Sequence, residues 1–294
     1  MIKTVIITNY RGESLTLDLV NPYSSGYAVM SITGLGPNKA NVNTDDATTN
    51  DGSIFNSARV QERNIVMKLK LMGGDPATIE GLRQKTYRFF PLKKSLTFEV
   101  ITDNRHARIL GYTESNEPDI FSSDETMSIS IICPYPFFTR ADGINSVMFY
   151  GEEPALEFPF ENDGEPPTSE IGYIHLVTEA NVFYDGDQEA GVSIIIHALG
   201  PAKNISIYNI DTGESMKITV DMLAGDSIIV STVKNSKYVR MVRDGMTSNI
   251  LNCINRDADW FVLKKGDNAF AYTADEGIRN LEFRIEYALL YEGI

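Results

Sequence analysis

The sequence predicts a mainly β protein of two domains, a β-sheet domain of α+β type with one helix and a projecting arm, then an antiparallel β-sandwich. Three observations predict it. The first half alternates apolar and polar residues with period two, a single segment within it repeats at helical spacing between a cap and a proline, and the second half is a series of short apolar runs separated by Asp-Gly turns. A length of 294 residues suits two average domains, and 43% hydrophobic with 22% charged residues is the balance of a chain that folds around ordinary cores. The expected domains are 1–140 and 141–294.

In the first half Ile65, Met67, Leu69 and Leu71 alternate with Val66, Lys68 and Lys70. Leu96, Phe98 and Val100 do the same, as do Met127, Ile129 and Ile131, which reads as half-buried strands. Between them Asp75 can cap a helix whose first position is Pro76. Ile79, Leu82, Thr86, Phe89 and Phe90 then follow at helical spacing until Pro91 stops it, with Arg83, Lys85 and Arg88 mostly off the apolar stripe.

From residue 37 to 64 the pattern gives way to Asn, Asp, Thr and Ser, with Ile54-Phe55 the only adjacent apolar pair. Segments this long without structure are usually functional or disordered, and Asp51-Gly52 is a hairpin turn signal. A projecting two-stranded arm is the expected form. A projecting arm needs something to lie on, so the candidate interface residues are Ile54, Phe55, Arg59 and Arg63 from this segment, with Arg83 and Arg88 from the helix.

The second half carries apolar runs at 156–160, 171–177, 192–198, 205–208, 216–220, 228–230, 260–263 and 281–287. Asp163-Gly164, Asp185-Gly186, Asp211-Thr212-Gly213 and Asp244-Gly245 punctuate them, as in a sandwich or barrel. The Pro134-Tyr135-Pro136-Phe137-Phe138 cluster marks the boundary between the halves.

Charge is divided in the same way. Residues 1–140 hold 15 Lys+Arg and 15 Asp+Glu, whereas residues 141–294 hold 11 and 25, so the whole net charge of −14 lies in the second half. An acidic second half does not recognise nucleic acid or anionic membrane, because phosphate contacts need Lys and Arg. The longest apolar run, 287–291, is far short of the ~18 residues of a membrane-spanning helix. The first eleven residues lack the apolar core of a secretory leader, so none is expected.

No enzyme is expected. The sequence has no phosphate loop, no Gly-x-Ser-x-Gly elbow and no His-Glu-x-x-His. Gly34-Leu35-Gly36-Pro37 starts like a dinucleotide loop, but its proline forbids the required helix. Asp185, Asp187 and Glu189 have calcium-loop spacing, with Ala190 and Ile196 where Gly and Glu are needed. His106, His175 and His197 are scattered singly, and Cys133 and Cys253 read as small buried hydrophobes with no metal or disulfide role. No catalytic, cofactor-binding or metal residue is assigned. The lone Trp260 in Asp259-Trp260-Phe261-Val262-Leu263 is expected in a core or packing role, with a sugar platform as the competing use.

One ordered series carries the reading further: Gly34-Leu35-Gly36-Pro37, Asp51-Gly52-Ser53, Arg63-Asn64-Ile65, Tyr87-Arg88-Phe89-Phe90-Pro91, Gly111-Tyr112, Glu117-Pro118-Asp119-Ile120-Phe121 and Cys133-Pro134-Tyr135-Pro136-Phe137-Phe138, ending on Tyr287-Ala288-Leu289-Leu290-Tyr291-Glu292-Gly293-Ile294. It resembles the distal tail protein family of long-tailed, siphovirus-type bacteriophages. The resemblance implies a non-enzymatic baseplate hub of the virion tail tip, made in the bacterial host cytoplasm. Its first domains would form a homohexameric ring between the tail tube protein and the tail-associated hub protein. Its galectin-like second domains would face outward to receptor-binding proteins, without cofactor. The alternative of a different class is a carbohydrate-binding host-recognition protein acting through the second domain, although a 154-residue half leaves little room for the inserted sugar module that such members carry.

Overall fold

The computed structural model describes residues 1–46, 51–122, 124–154, 172–176 and 178–294, the strands Tyr150–Pro154 and Gly172–Leu176 by backbone alone. The fold is mainly β with one α-helix among these residues. It divides into two units, Met1–Gly143 with Leu290–Ile294, and Ile144–Leu289. The sequence reading ran the second domain through to residue 294. The structure returns Leu290–Ile294 to the first unit, where these residues close a sheet.

In the first unit β1 (Ile2–Asn9), β2 (Ser14–Asp18), β3 (Tyr27–Thr33), β4 (Ala40–Asp46), β5 (Ser53–Val60) and β6 (Arg63–Leu71) precede the helix α1 (Pro76–Phe89); β7 (Ser95–Thr102), β8 (His106–Asp119), β9 (Thr126–Cys133) and β10 (Phe138–Arg140) follow it. The main sheet runs β2-β1-β7-β8-β9-β6-β3, every neighbour antiparallel. The alternating sets on β6, β7 and β9 all point into the core, each large side chain contributing roughly 1.5–3 kcal/mol on full burial. The fourteen-residue β8 pairs along its first half with β7 and along its second with β9, and the β8–β9 register shifts between Thr113 and Ser115.

The helix forms where its signals stand. Asp75 accepts from the Thr78 backbone N–H at 3.0 Å and from its hydroxyl at 2.6 Å, and Pro76 occupies the first turn. Thr86 and Phe89 are its buried positions, and the Phe90 N–H closes the last turn on Thr86.

β10 lies between two partners, pairing Thr139 and Arg140 with Arg108 and Ala107 of β8, and Phe138 and Thr139 with Tyr291 and Leu290. Leu290 and Tyr291 are buried there.

The second unit contains β11 (Asn145–Met148), β12 (Tyr150–Pro154), β13 (Gly172–Leu176), β14 (Glu179–Asn181), β15 (Ala190–Ala198), β16 (Ala202–Asn209), β17 (Ser215–Met222), β18 (Ser227–Ser231), β19 (Tyr238–Arg243), β20 (Met246–Asn249), β21 (Val262–Leu263), β22 (Ala269–Glu276) and β23 (Leu281–Tyr287). One sheet runs β11-β23-β15-β18-β19-β20 and the other β14-β22-β16-β17. The rings of Tyr272 on β22 and Phe283 on β23 stack at 4.6 Å, joining the two layers, and Phe149 packs edge-on against Phe283 at 4.9 Å. Asp244 and Gly245, at φ of 50° and 74°, make the tight β19–β20 turn. The sequence signals at 156–160 and Asp163-Gly164 lie outside the described residues, as do positions 171 and 177.

Candidate interaction surface

β4 and β5 pair only with each other and form the arm that the polar segment predicts. Its register shifts between Asn43 and Thr44, which sets Phe55 opposite Thr44 and Ile54 opposite Asp45. Ile54 is 61% and Phe55 62% exposed, and Val42 is exposed beside them. A two-stranded ribbon with no third layer is marginal in water on its own, so these side chains contribute little to the stability of a lone chain. Asp45, Asp46 and Asp51 crowd its far end, while Arg59, opposite Asn41, lies toward its root and is exposed.

Arg83 and Arg88 share α1 but not a role. Arg83 Nη1 donates to Glu125 Oε2 at 2.8 Å with both side chains partly buried, so the pair ties the helix to the start of β9. Arg88 and its neighbour Lys85 are exposed and have no ion-pair partner among the described residues. A groove of about 460 Å³ opens between the helix end and β8, lined by Tyr87, Phe90, Pro91 and Leu92 on one side and Glu114, Ser115, Asn116 and Glu117 on the other. In its wall Asn116 donates to the Thr86 carbonyl at 3.2 Å, while its own Oδ1 is buried with no donor.

Arg63 belongs to neither surface, which corrects its place among the interface candidates: it is 1% exposed, the first residue of the buried face of β6. Its Nε donates to the Pro136 carbonyl at 2.7 Å, Nη1 to those of Gly34 and Gly36 at 2.5 and 2.6 Å, and Nη2 to Glu292 at 2.6 Å, with the Phe138 ring 4.7 Å away. A buried guanidinium survives only when its donors are met, and here four backbone carbonyls meet them. Desolvation still holds its pKa below the ordinary value. Gly34 reaches this position at φ +82°, and a Cβ there would fall 2.1 Å from the Asn64 carbonyl oxygen.

Cys133 is buried, and this burial pushes its pKa up to about 12 against the opposing charge of Arg63, so it stays a thiol at neutral pH. Cys253, expected to be buried, is instead half-exposed after the short turn Leu251–Cys253 begins. A disulfide reagent is therefore expected to titrate one thiol per native chain, Cys253, and the second only after unfolding; two fast thiols would contradict the placement of Cys133.

His197 Nδ1 lies 2.9 Å from the Ser227 hydroxyl, and His106 sits between Asp142 at 2.7 Å and Glu99 at 3.2 Å. The side chain of His175 lies outside the described residues. No group of three or more His, Cys, Asp or Glu is placed to hold a metal among the described residues. Trp260 is half-exposed, its core place taken by the fully buried Phe261. Lys237 Nζ stands 5.1 Å over one face of its ring.

Residues 185–289 match the family described as siphovirus-type tail component, C-terminal domain. Over that stretch the chain is similar to a siphovirus-type tail component domain. The stretch spans the sheets of the second unit from the residues before β15 to the end of β23. No curated protein matches the chain in sequence. The fold resembles the crystal structure of SPP1 Dit, described as a paradigm of hub adsorption apparatus in Gram-positive infecting phages, with TM-score 0.68 and 11% identity over 98% of this chain and 99% of that one. A chain of the phage P2 baseplate in its activated conformation with Ca aligns at TM-score 0.48 and 12% identity over 97% and 98% of the two chains. The matched stretch thus lies in a chain that resembles the SPP1 Dit fold over 98% of its length.

Proposed function

We propose that the protein is a distal tail protein, a structural part of a phage baseplate hub that catalyses no reaction and acts at the tail tip of the virion. The observation that carries this reading is the tail-component domain at 185–289 inside a chain that follows the SPP1 Dit fold over 98% of its length, so that the first unit is included as well as the second. The first unit supplies the contacts between copies, with Ile54, Phe55 and Arg88 among them, and the ring it forms joins the tail tube to the tail-tip attachment apparatus. Six copies is the number implied by the resemblance of the sequence.

Charge supports the division of labour. The first unit holds 15 basic and 17 acidic residues, net −2, and the second 11 and 23, net −12. Copies of a near-neutral unit approach without strong repulsion, whereas strongly acidic units repel one another and stay soluble. Negative-stain electron microscopy of the purified full chain tests the reading directly. Ring-shaped particles are expected at high concentration; particles of single-chain size at every concentration would count against it. Antibody to the chain is expected to decorate virions at the tail tip.

A further inference from the structure

The groove at the end of α1 has an open sheet edge for one bank. β8 pairs with β7 only from His106 to Tyr112, and Thr113 exchanges backbone bonds with Lys93 and Lys94; from Ser115 to Asp119 its only strand partner is β9. Alternation sorts the side chains of this stretch. Asn116 and Pro118, opposite the buried Ile129 and Met127, take the inner face, where Asn116 donates to the Thr86 carbonyl of α1. Glu117 and Asp119 take the outer face, and the register shift adds Glu114, whose Oε2 accepts from Ser130 at 2.7 Å. These three carboxylates have no ion-pair partner among the described residues. The bases in row with them, Lys68 and Lys70, stand two strands away, and Lys70 is held by Asp124 at 2.9 Å. On the other bank Tyr87 and Leu92 are exposed, no Lys or Arg lines the groove, and just past the end of β8 come the exposed Ile120 and Phe121, the latter 95% exposed.

We propose that this edge receives an extended segment of a different protein, one that alternates Lys or Arg with apolar side chains and joins the sheet as a strand beside β8. The open edge supplies backbone groups that no strand of this chain meets, and Pro118 is a residue that sheets carry at such edges. A strand laid along it sends alternate side chains to the two faces. Those on the outer face meet Glu114, Glu117 and Asp119, so they are basic; those on the inner face meet Tyr87, Phe90 and Leu92, so they are apolar. An acidic segment would set like charges side by side, and a uniformly apolar one would strip water from three carboxylates without pairing them. The stretch of this chain that best has the pattern, Val66 to Leu71, is already paired on both sides by β3 and β9, so the segment comes from elsewhere. Phe121, beyond the end of the edge, gives the incoming chain a further apolar contact. The assignment holds whether or not copies of the chain form a ring.

The test is titration of the full chain at low salt with a labelled, capped hexapeptide alternating Lys and Val, read by fluorescence anisotropy. Binding with Kd below about 1 mM is expected, and binding about tenfold weaker or worse for the Glu–Val counterpart. E117Q/D119N is expected to weaken the Lys–Val peptide about tenfold, and L92S/F121S about fivefold. All four side chains are exposed, so the melting of the chain should move by no more than about 2 °C. Methylating the backbone nitrogens of one alternate set in the peptide should abolish binding, and methylating the other set should leave it, because only one edge of an added strand faces β8. No binding at about 1 mM, equal binding of the acidic peptide, indifference to both double variants or equal tolerance of both methylations would each overturn the proposal. If E117Q/D119N instead alters assembly of the chain alone in mass photometry, the edge is a contact between copies, and the proposal falls while ring formation stands.

Discussion

Replacing Arg63 by methionine is expected to unfold the first unit well before the second. Methionine keeps most of the aliphatic volume, but it leaves the carbonyls of Gly34, Gly36, Pro136 and Glu292 without this donor, the Pro136 contact fully buried and the other three partly so. Buried ion pairs can be exchanged for apolar residues at little loss when both partners are replaced together. Here the partners are backbone, and no substitution removes them. An unmet buried polar group costs about 1–3 kcal/mol and a partly buried one less, so the loss should be about 2–5 kcal/mol, a large part of the roughly 5–15 kcal/mol that holds a domain folded. Calorimetry is expected to show the first-unit transition falling sharply and the second-unit transition staying in place. Arg63→Lys should lose nearly as much, because one ammonium cannot reach carbonyls on four sides. A loss below about 1 kcal/mol for Arg63→Met would mean that water replaces the guanidinium and that the network is not structural.

Ending the chain after Leu289 is the second large effect. It removes the buried Leu290 and Tyr291, leaves β10 with an open edge, and takes from Arg105 both the Gly293 carbonyl at 2.9 Å and the Tyr291 ring at 4.4 Å. The two side chains alone are worth roughly 3–6 kcal/mol. Part of this is offset by the ordering of the backbone at about 1–2 kcal/mol per residue, and a net loss of about 2–4 kcal/mol is expected from urea unfolding. Truncation and Arg63→Met both delete the contact between Arg63 and Glu292, so together they should cost less than their sum by about 1 kcal/mol or more. Strict additivity would show that the guanidinium and the returning strand act independently.

Much of this was legible locally. Asp75, Pro76 and Pro91 bracket a helix that forms at Pro76–Phe89, and the alternating sets on β6, β7 and β9 are the core of the sheet. Asp51-Gly52 announced the arm, although its strands carry no alternation because neither face is buried. β8 escaped notice because Gly111, Glu114, Asn116 and Pro118 interrupt its pattern, and β20 because all four of its residues are exposed. Arg63 shows how residue type can outweigh position. It stands in phase with Ile65, Met67, Leu69 and Leu71, so period two already placed it on the inner face, but arginine is almost never fully buried unless paired. Its partners lie up to 229 residues away, and periodicity names a face without naming what covers it. The pairing of Arg83 with Glu125 across 42 positions was hidden for the same reason, whereas Ile54 and Phe55, whose exposure depends only on a polar neighbourhood, lie at the surface as read.

The return of Leu290–Ile294 to the first unit gives the protein a clock during synthesis. A ribosome adding about 5–20 residues per second makes everything through Gly143 and then spends roughly 7–30 seconds on the second unit before the closing strand exists. Throughout that interval β10 waits with an open edge and Arg63 with an unmet donor, so the nascent first unit cannot reach its final stability however early its own strands emerge. The last contacts of the flanking unit can form only after the whole of the inserted one has been synthesised. A chain broken off anywhere short of Leu290 carries a first unit that has never been finished, and translation length itself thereby filters which copies have a finished first unit to bring to an assembly.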